Sequence, residues 1–176
     1  MGFHVGWIAV NGKSPAEVRA ELGLSETVAR EYVPESELTA VLLPSGWYIV
    51  FCNDLTAPEL KDDSLEAISR GGNVMAFFVE EGSMVSVATG YAGGHRTWEV
   101  VHDSNKGLEN LDTSGILPPS FALVRDRLMN KLKEGKNGVD YLFEVPADLS
   151  KLITGFRHDE DIDGIEGDAF TVLERA

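Results

Sequence analysis

One hairpin with two almost entirely apolar arms constrains the fold of this chain most strongly. The arms are residues 38–43 (Leu-Thr-Ala-Val-Leu-Leu) and 47–52 (Trp-Tyr-Ile-Val-Phe-Cys), and they flank Pro44-Ser45-Gly46. Proline fixes φ at a turn, and glycine accepts the positive φ that tight turns often need. Strands that are apolar at successive positions are typical of a sheet covered on both faces. We therefore expect a central hairpin with packed layers on either side.

Shorter apolar runs extend this expected sheet in both directions. Because most of them are joined by short turns, neighbouring strands should pair antiparallel. We predict an α+β fold, with a mostly antiparallel sheet of about six to eight strands and about three to five helices packed against it, in a single domain over residues 1–176. The further predicted strands are 3–10, 73–80, 84–89, 97–102, 139–145 and 169–173, and the predicted helices are 15–22, 25–32, 63–70, 119–134 and 147–154. Residues 104–117 are predicted to form a polar loop.

The charge of the chain limits its partners. Among 176 residues, 29 are acidic and 15 are basic, which gives a net charge of -14. Such a field repels phosphate backbones, so we expect neither nucleic acid nor an anionic membrane as a partner. It attracts basic proteins and accelerates their association. High solubility alone is the alternative explanation of the same charge.

The single cysteine and the first ten residues bear on the compartment. Cys52 cannot form an intrachain disulfide, which argues against a disulfide-stapled secreted domain. Residues 1–10 lack the basic region of a signal peptide, and the apolar runs are far shorter than the roughly 20 residues that span a bilayer. We expect a cytoplasmic protein, with Cys52 as a buried free thiol rather than a nucleophile.

An acidic loop at residues 159–168 partly matches a calcium-binding pattern. Asp159, Asp161, Asp163 and Gly164 occupy the first, third, fifth and sixth positions of an EF-hand loop. The twelfth position, which needs a bidentate carboxylate, falls on Phe170. The three aspartates are the candidate metal ligands, and the alternative is an exposed acidic loop without a metal. No cofactor is expected.

Two His-Asp dipeptides supply the candidate catalytic residues, which are His102, Asp103 and His158. A carboxylate can orient an imidazole and raise its basicity, as general-base catalysis requires. Adjacent side chains on a strand point to opposite faces, however, so His102 and Asp103 need not form a pair. Catalysis would therefore require residues that converge only in the folded chain.

The glycine-rich segment 89–96 is interpreted as a hairpin tip between two antiparallel strands. It lacks the residue order of a phosphate-binding loop and does not lead into a helix. Tyr91, His95 and Arg96 are the candidate binding residues of this tip.

These observations favour a non-catalytic acidic domain that binds another protein, in the manner of an immunity or inhibitor protein acting on a basic partner. Two alternatives remain open at this point. One is an enzyme with a spatially assembled His/Asp site, and the other is an accessory domain whose acidic loop binds a cation.

Overall fold

The computed structural model describes residues 2–135 and 138–176. Within these residues, nine strands form one antiparallel sheet in the order β2-β9-β3-β4-β1-β5-β6-β7-β8. The strands are β1 (His4–Asn11), β2 (Leu24–Glu31), β3 (Leu38–Leu42), β4 (Tyr48–Cys52), β5 (Asn73–Glu80), β6 (Val85–Ala92), β7 (His95–Asp103), β8 (Asp112–Gly115) and β9 (Phe170–Arg175). The α-helices are α1 (Pro15–Leu22), α2 (Asp62–Ile68), α3 (Ser120–Glu134) and α4 (Val145–Thr154). The predicted α+β class is confirmed, with slightly more strands than expected.

The apolar hairpin lies at the centre of the sheet, where β4 pairs with both β3 and β1. Alternate side chains of β4 enter two different cores. Tyr48, Val50 and Cys52 pack with α1 and α2 on one face, whereas Ile49 and Phe51 face the opposite core. The sheet is therefore covered on both faces, and this is why its central strands are apolar at every position.

Capping and glycine signals in the sequence correctly predict where helices α1 and α3 lie. The Ser14 hydroxyl accepts a hydrogen bond from the Glu17 backbone N–H, and the Glu17 carboxylate accepts one from the Ser14 N–H, which completes the expected capping box. Gly23 then ends α1 in the left-handed conformation. Helix α3 ends at Gly135 as predicted, and its Phe121, Val124 and Leu128 side chains are buried.

Three segments differ from the sequence prediction. Residues 25–32 do not form a helix, because β2 pairs with β9, which lies about 145 residues further along the chain. Residues 139–145 do not form a strand; a 3-10 turn over Leu142–Glu144 leads directly into α4, and Leu142 and Val145 enter the core beside α3. Part of the expected polar loop 104–117 forms the edge strand β8.

None of the helices in residues 2–135 and 138–176 combines the length and the apolar character needed to cross a membrane.

Candidate binding cleft

An open cleft of about 550 Å³ lies beside the acidic loop 159–168. The loop meets residues of the N-terminus, of the segment after β2 and of the start of β9. The cleft is lined by Phe3, Tyr32, Val33, Pro34, Phe156, His158, Asp159, Glu160, Asp161, Ile162, Ile165, Glu166, Gly167, Ala169 and Phe170. It therefore joins chain segments that are far apart in sequence.

Apolar residues hold the acidic loop against the sheet. Phe156 is buried directly after Gly155, which ends α4 in the left-handed conformation. Ile162 and Ile165 pack against the same core, and Phe170 starts β9 within it. The apolar positions point inward, so the intervening carboxylates are directed to the surface and the cleft. The apolar residues of the loop therefore hold it against the sheet.

The cleft carries strong negative charge. Four carboxylates line it, and its lining contains no lysine or arginine. Two of them are partly neutralised, because Asp159 binds Arg157 (Nε–Oδ1 2.6 Å) and Glu160 pairs with Lys151. Within the described residues, Asp161 and Glu166 form no ion pair, although the Tyr32 hydroxyl donates to Asp161 Oδ1 at 2.8 Å. That hydrogen bond and the Asp161 charge raise the pKa of Tyr32.

His158 forms part of the cleft wall and is the most enclosed of its polar side chains. Its imidazole is only 5% exposed, lies stacked on Phe77 and meets the edge of Phe3. Nδ1 has no hydrogen-bond partner among the described residues, and Asp159 Oδ1 lies 3.9 Å from it. Burial lowers the pKa of His158, although the Asp159 charge opposes this. The imidazole is therefore held neutral near pH 7.

Arg157 fixes the base of the loop. Its guanidinium contacts Glu144 and Asp148 on the α4 side and Asp159 and Glu160 in the loop, and its side chain is only 10% exposed. Burial alone would lower the pKa of Arg157, but hydrogen bonds to Asp159 and Glu144 raise it above its ordinary value. This network ties the start of the acidic loop to α4.

His102, the other candidate catalytic histidine, lies in a separate polar network. Its side chain is fully buried; Nδ1 contacts the Asn110 carbonyl at 2.6 Å, and Nε2 contacts Asp140 at 2.9 Å. Ser104 lies 3.3 Å from the same Nε2 and donates its hydroxyl hydrogen bond to Asp140. In a Ser-His-Asp triad the serine and the carboxylate lie on opposite ring nitrogens. Here they share one nitrogen, so the arrangement suits a buried structural network.

Asp103 is directed away from His102. Its carboxylate accepts hydrogen bonds from the backbone N–H and side-chain amide of Asn105, both at 3.0 Å, at the start of a 3-10 turn. No hydrogen bond or ring contact among the described residues joins His102 to His158. The three candidate catalytic residues are therefore not brought together as one site.

The three candidate binding residues also occupy different environments. Tyr91 is buried within β6 and donates a 2.7 Å hydrogen bond to Asp62. His95 and Arg96 belong to β7, where His95 is exposed and Arg96 pairs with Glu99 at 2.7 Å. Only Gly93 and Gly94 lie between the strands, so the tip is shorter than the sequence indicated.

The candidate metal ligands do not form a coordination shell. Asp159 contacts Arg157 and Asp161 contacts Tyr32, so both are directed to other partners. Across residues 2–135 and 138–176, no group of three or more His, Cys, Asp or Glu side chains is arranged to hold a metal ion.

Sequence reasoning identified the acidic loop but missed the apolar side of the cleft. Phe3, Tyr32 and Val33 reach it from segments with no local motif, and only the pairing of β2 with β9 brings Tyr32 and Val33 beside the loop. No protein-family model matches this chain, and neither the curated proteins nor the solved structures contain a significant match to it.

Proposed function

We propose that this chain is a non-catalytic binding domain for a basic protein, of the type represented by immunity and inhibitor proteins. One observation carries the proposal: the cleft beside the acidic loop is lined by four carboxylates and by no lysine or arginine. Together with the net charge of -14, this arrangement attracts a positively charged partner to the cleft.

Exposed apolar side chains at the same place support a protein partner. Phe3, Tyr32 and Val33 are each at least 40% exposed and all line the cleft. Aromatic and apolar side chains beside charged groups are typical of the energetically dominant part of a protein interface. Soluble proteins rarely leave such residues grouped in a concave surface without a ligand.

The enzyme alternative has weaker support. Its histidines lie in two separate environments, and the more highly connected one, His102, is fully buried in a hydrogen-bonded network. A general base must come within hydrogen-bond reach of its substrate. The calcium-binding alternative lacks a cluster of three ligands in the described residues.

The proposal is tested by retention of proteins from a native lysate of the source organism on the immobilised chain. We expect a basic protein in stoichiometric amount at about 50 mM salt, with weaker retention at about 500 mM. The variant Asp161→Lys with Glu166→Lys should lose it. Glu109→Lys with Glu174→Lys makes the same charge change at exposed positions outside the cleft and should retain it.

Circular dichroism establishes that both variants are folded. The proposal fails if no stoichiometric partner is retained at either salt concentration. It also fails if the partner binds the cleft variant and the control variant equally well.

A further inference from the structure

The acidic cleft has two kinds of surface that one ligand must satisfy together. Its apolar part includes Phe3, Ile162 and Ile165, and its charged part includes Asp161 and Glu166, neither of which forms an ion pair within the described residues. A small hydrated cation would satisfy the carboxylates and leave the apolar surface exposed. An apolar ligand would desolvate the carboxylates without compensation. The ligand should therefore combine a positive group with an apolar stem.

His158 provides a second, independent observation that this is a ligand site. Its side chain lines the cleft, is only 5% exposed and leaves Nδ1 without a hydrogen-bond partner in the described residues. Buried polar side chains are nearly always hydrogen-bonded, so an unpaired imidazole nitrogen in the wall of the cleft is an exception. A neutral imidazole has one N–H donor and one acceptor nitrogen, so it is compatible with a ligand that carries N–H donors.

We propose that the cleft receives an arginine side chain from the basic protein partner, an inference that rests on the function proposed above. Its guanidinium would meet the Asp161 and Glu166 carboxylates, and its methylene stem would lie against Ile162 and Ile165. The aromatic rings of Phe3 and Tyr32 offer faces on which a planar guanidinium stacks.

Arginine fits this surface better than lysine does. A guanidinium is planar, donates five N–H groups and is more weakly hydrated than an ammonium, so it enters a partly apolar site at lower cost. It also forms paired hydrogen bonds with carboxylates, which a point-like ammonium cannot reproduce. Arginine, tyrosine and tryptophan are the side chains most enriched among dominant interface residues.

The test uses the full chain and three short peptides that differ at one central residue. The probes are acetyl-Gly-Gly-Xaa-Gly-Gly-amide with arginine, lysine or citrulline as Xaa, titrated into isotope-labelled protein and followed by backbone amide shifts. Citrulline keeps the shape of arginine and removes its charge. We expect arginine to bind at least about 10-fold more tightly than citrulline, with lysine between them, and to shift signals from residues 158–169.

Matched variants separate the cleft from the overall charge of the protein. Asp161→Asn with Glu166→Gln should reduce arginine binding to the citrulline level, and the amide oxygen introduced at position 161 can still accept the Tyr32 hydrogen bond. Glu109→Gln with Glu174→Gln removes the same charge outside the cleft and should leave binding unchanged. Equal binding of arginine and citrulline, shifts spread over the whole surface, or equal loss in both variants would overturn the inference.

The peptide and lysate experiments fail in distinguishable ways. If the protein partner depends on Asp161 and Glu166 but the arginine peptide does not bind, the arginine inference is wrong and the proposed function stands. If the peptide binds the cleft but no protein partner exists, the proposed function is wrong and the arginine site stands.

Discussion

The imidazole of His158 lies stacked on the phenyl ring of Phe77, with ring centroids 5.2 Å apart and an angle of 25° between the planes. The ring of Phe3 contacts the same imidazole in a T-shaped arrangement, with ring centroids 4.7 Å apart. This aromatic contact removes water from a titratable group, and burial is the largest cause of the lowered pKa of His158. The protonation of His158, which lines the cleft, therefore affects the stability of the fold.

We predict that protonation of His158 destabilises the protein below about pH 6.5. The unfolded chain titrates near this value, whereas the folded chain keeps the imidazole neutral at lower pH, so the unfolded state binds more protons. The free energy of unfolding should therefore fall as pH decreases from about 6.5 through the lowered pKa. Urea denaturation at several pH values should show a shallower decrease for His158→Phe than for the wild type. Parallel profiles would contradict the prediction.

Replacing Arg157 should destabilise the protein more than replacing an exposed arginine does. Arg157→Met keeps most of the apolar stem but leaves Glu144, Asp148, Asp159 and Glu160 without their shared cation. The four carboxylates are 22–42% exposed, so the loss of unfolding free energy should lie between that of a surface ion pair and that of a fully buried one, at about 1–2 kcal/mol. The control Arg125→Met removes an exposed guanidinium paired with Asp126 and should cost less than about 0.5 kcal/mol. Equal losses in chemical denaturation would contradict this role of Arg157.

The fold could be predicted from sequence wherever local chemistry determines it. The turn Pro44-Ser45-Gly46, the capping box of Ser14 and the glycine that ends α3 all act within a few residues. Strand β2 could not be predicted in this way. Its residues are mostly exposed, and it becomes a strand because β9 provides its hydrogen-bond partners across most of the chain length.

The residues of the cleft also fall into two groups, those that the sequence identifies and those that only the fold brings together. The carboxylates of the acidic loop are adjacent in sequence, so the sequence alone identifies them as a group. Tyr32 and Val33 reach the cleft only through the pairing of β2 with β9, and the contact of His158 with Phe77 depends on the sheet itself. His102 and Asp103 do not form a pair, as expected for neighbours on a strand, and the carboxylate partner of His102 is Asp140, which the sequence did not indicate. Non-local contacts of this kind leave no signal in a single sequence.

Cys52 should be unreactive in the folded protein. Its side chain is fully buried in β4, and burial raises the pKa of its thiol well above the ordinary value. Because the thiolate is the reactive species, modification by a thiol reagent requires unfolding or local opening. We expect one thiol per chain to react rapidly in denaturant and negligibly in native buffer at pH 8. Rapid reaction of the native protein would contradict the buried position.

Gly90 should tolerate no side chain, because it lies opposite Trp98 where β6 and β7 pair with a register shift. A Cβ atom at Gly90 would overlap the Trp98 indole, so Gly90→Ala forces the ring or the strand to move. Overpacking of this kind typically costs about 2 kcal/mol. In a Trp98→Leu background the indole is absent, and the same substitution should cost much less. Urea denaturation of the four proteins measures this coupling, and an equal cost in both backgrounds would show that the indole is not the cause.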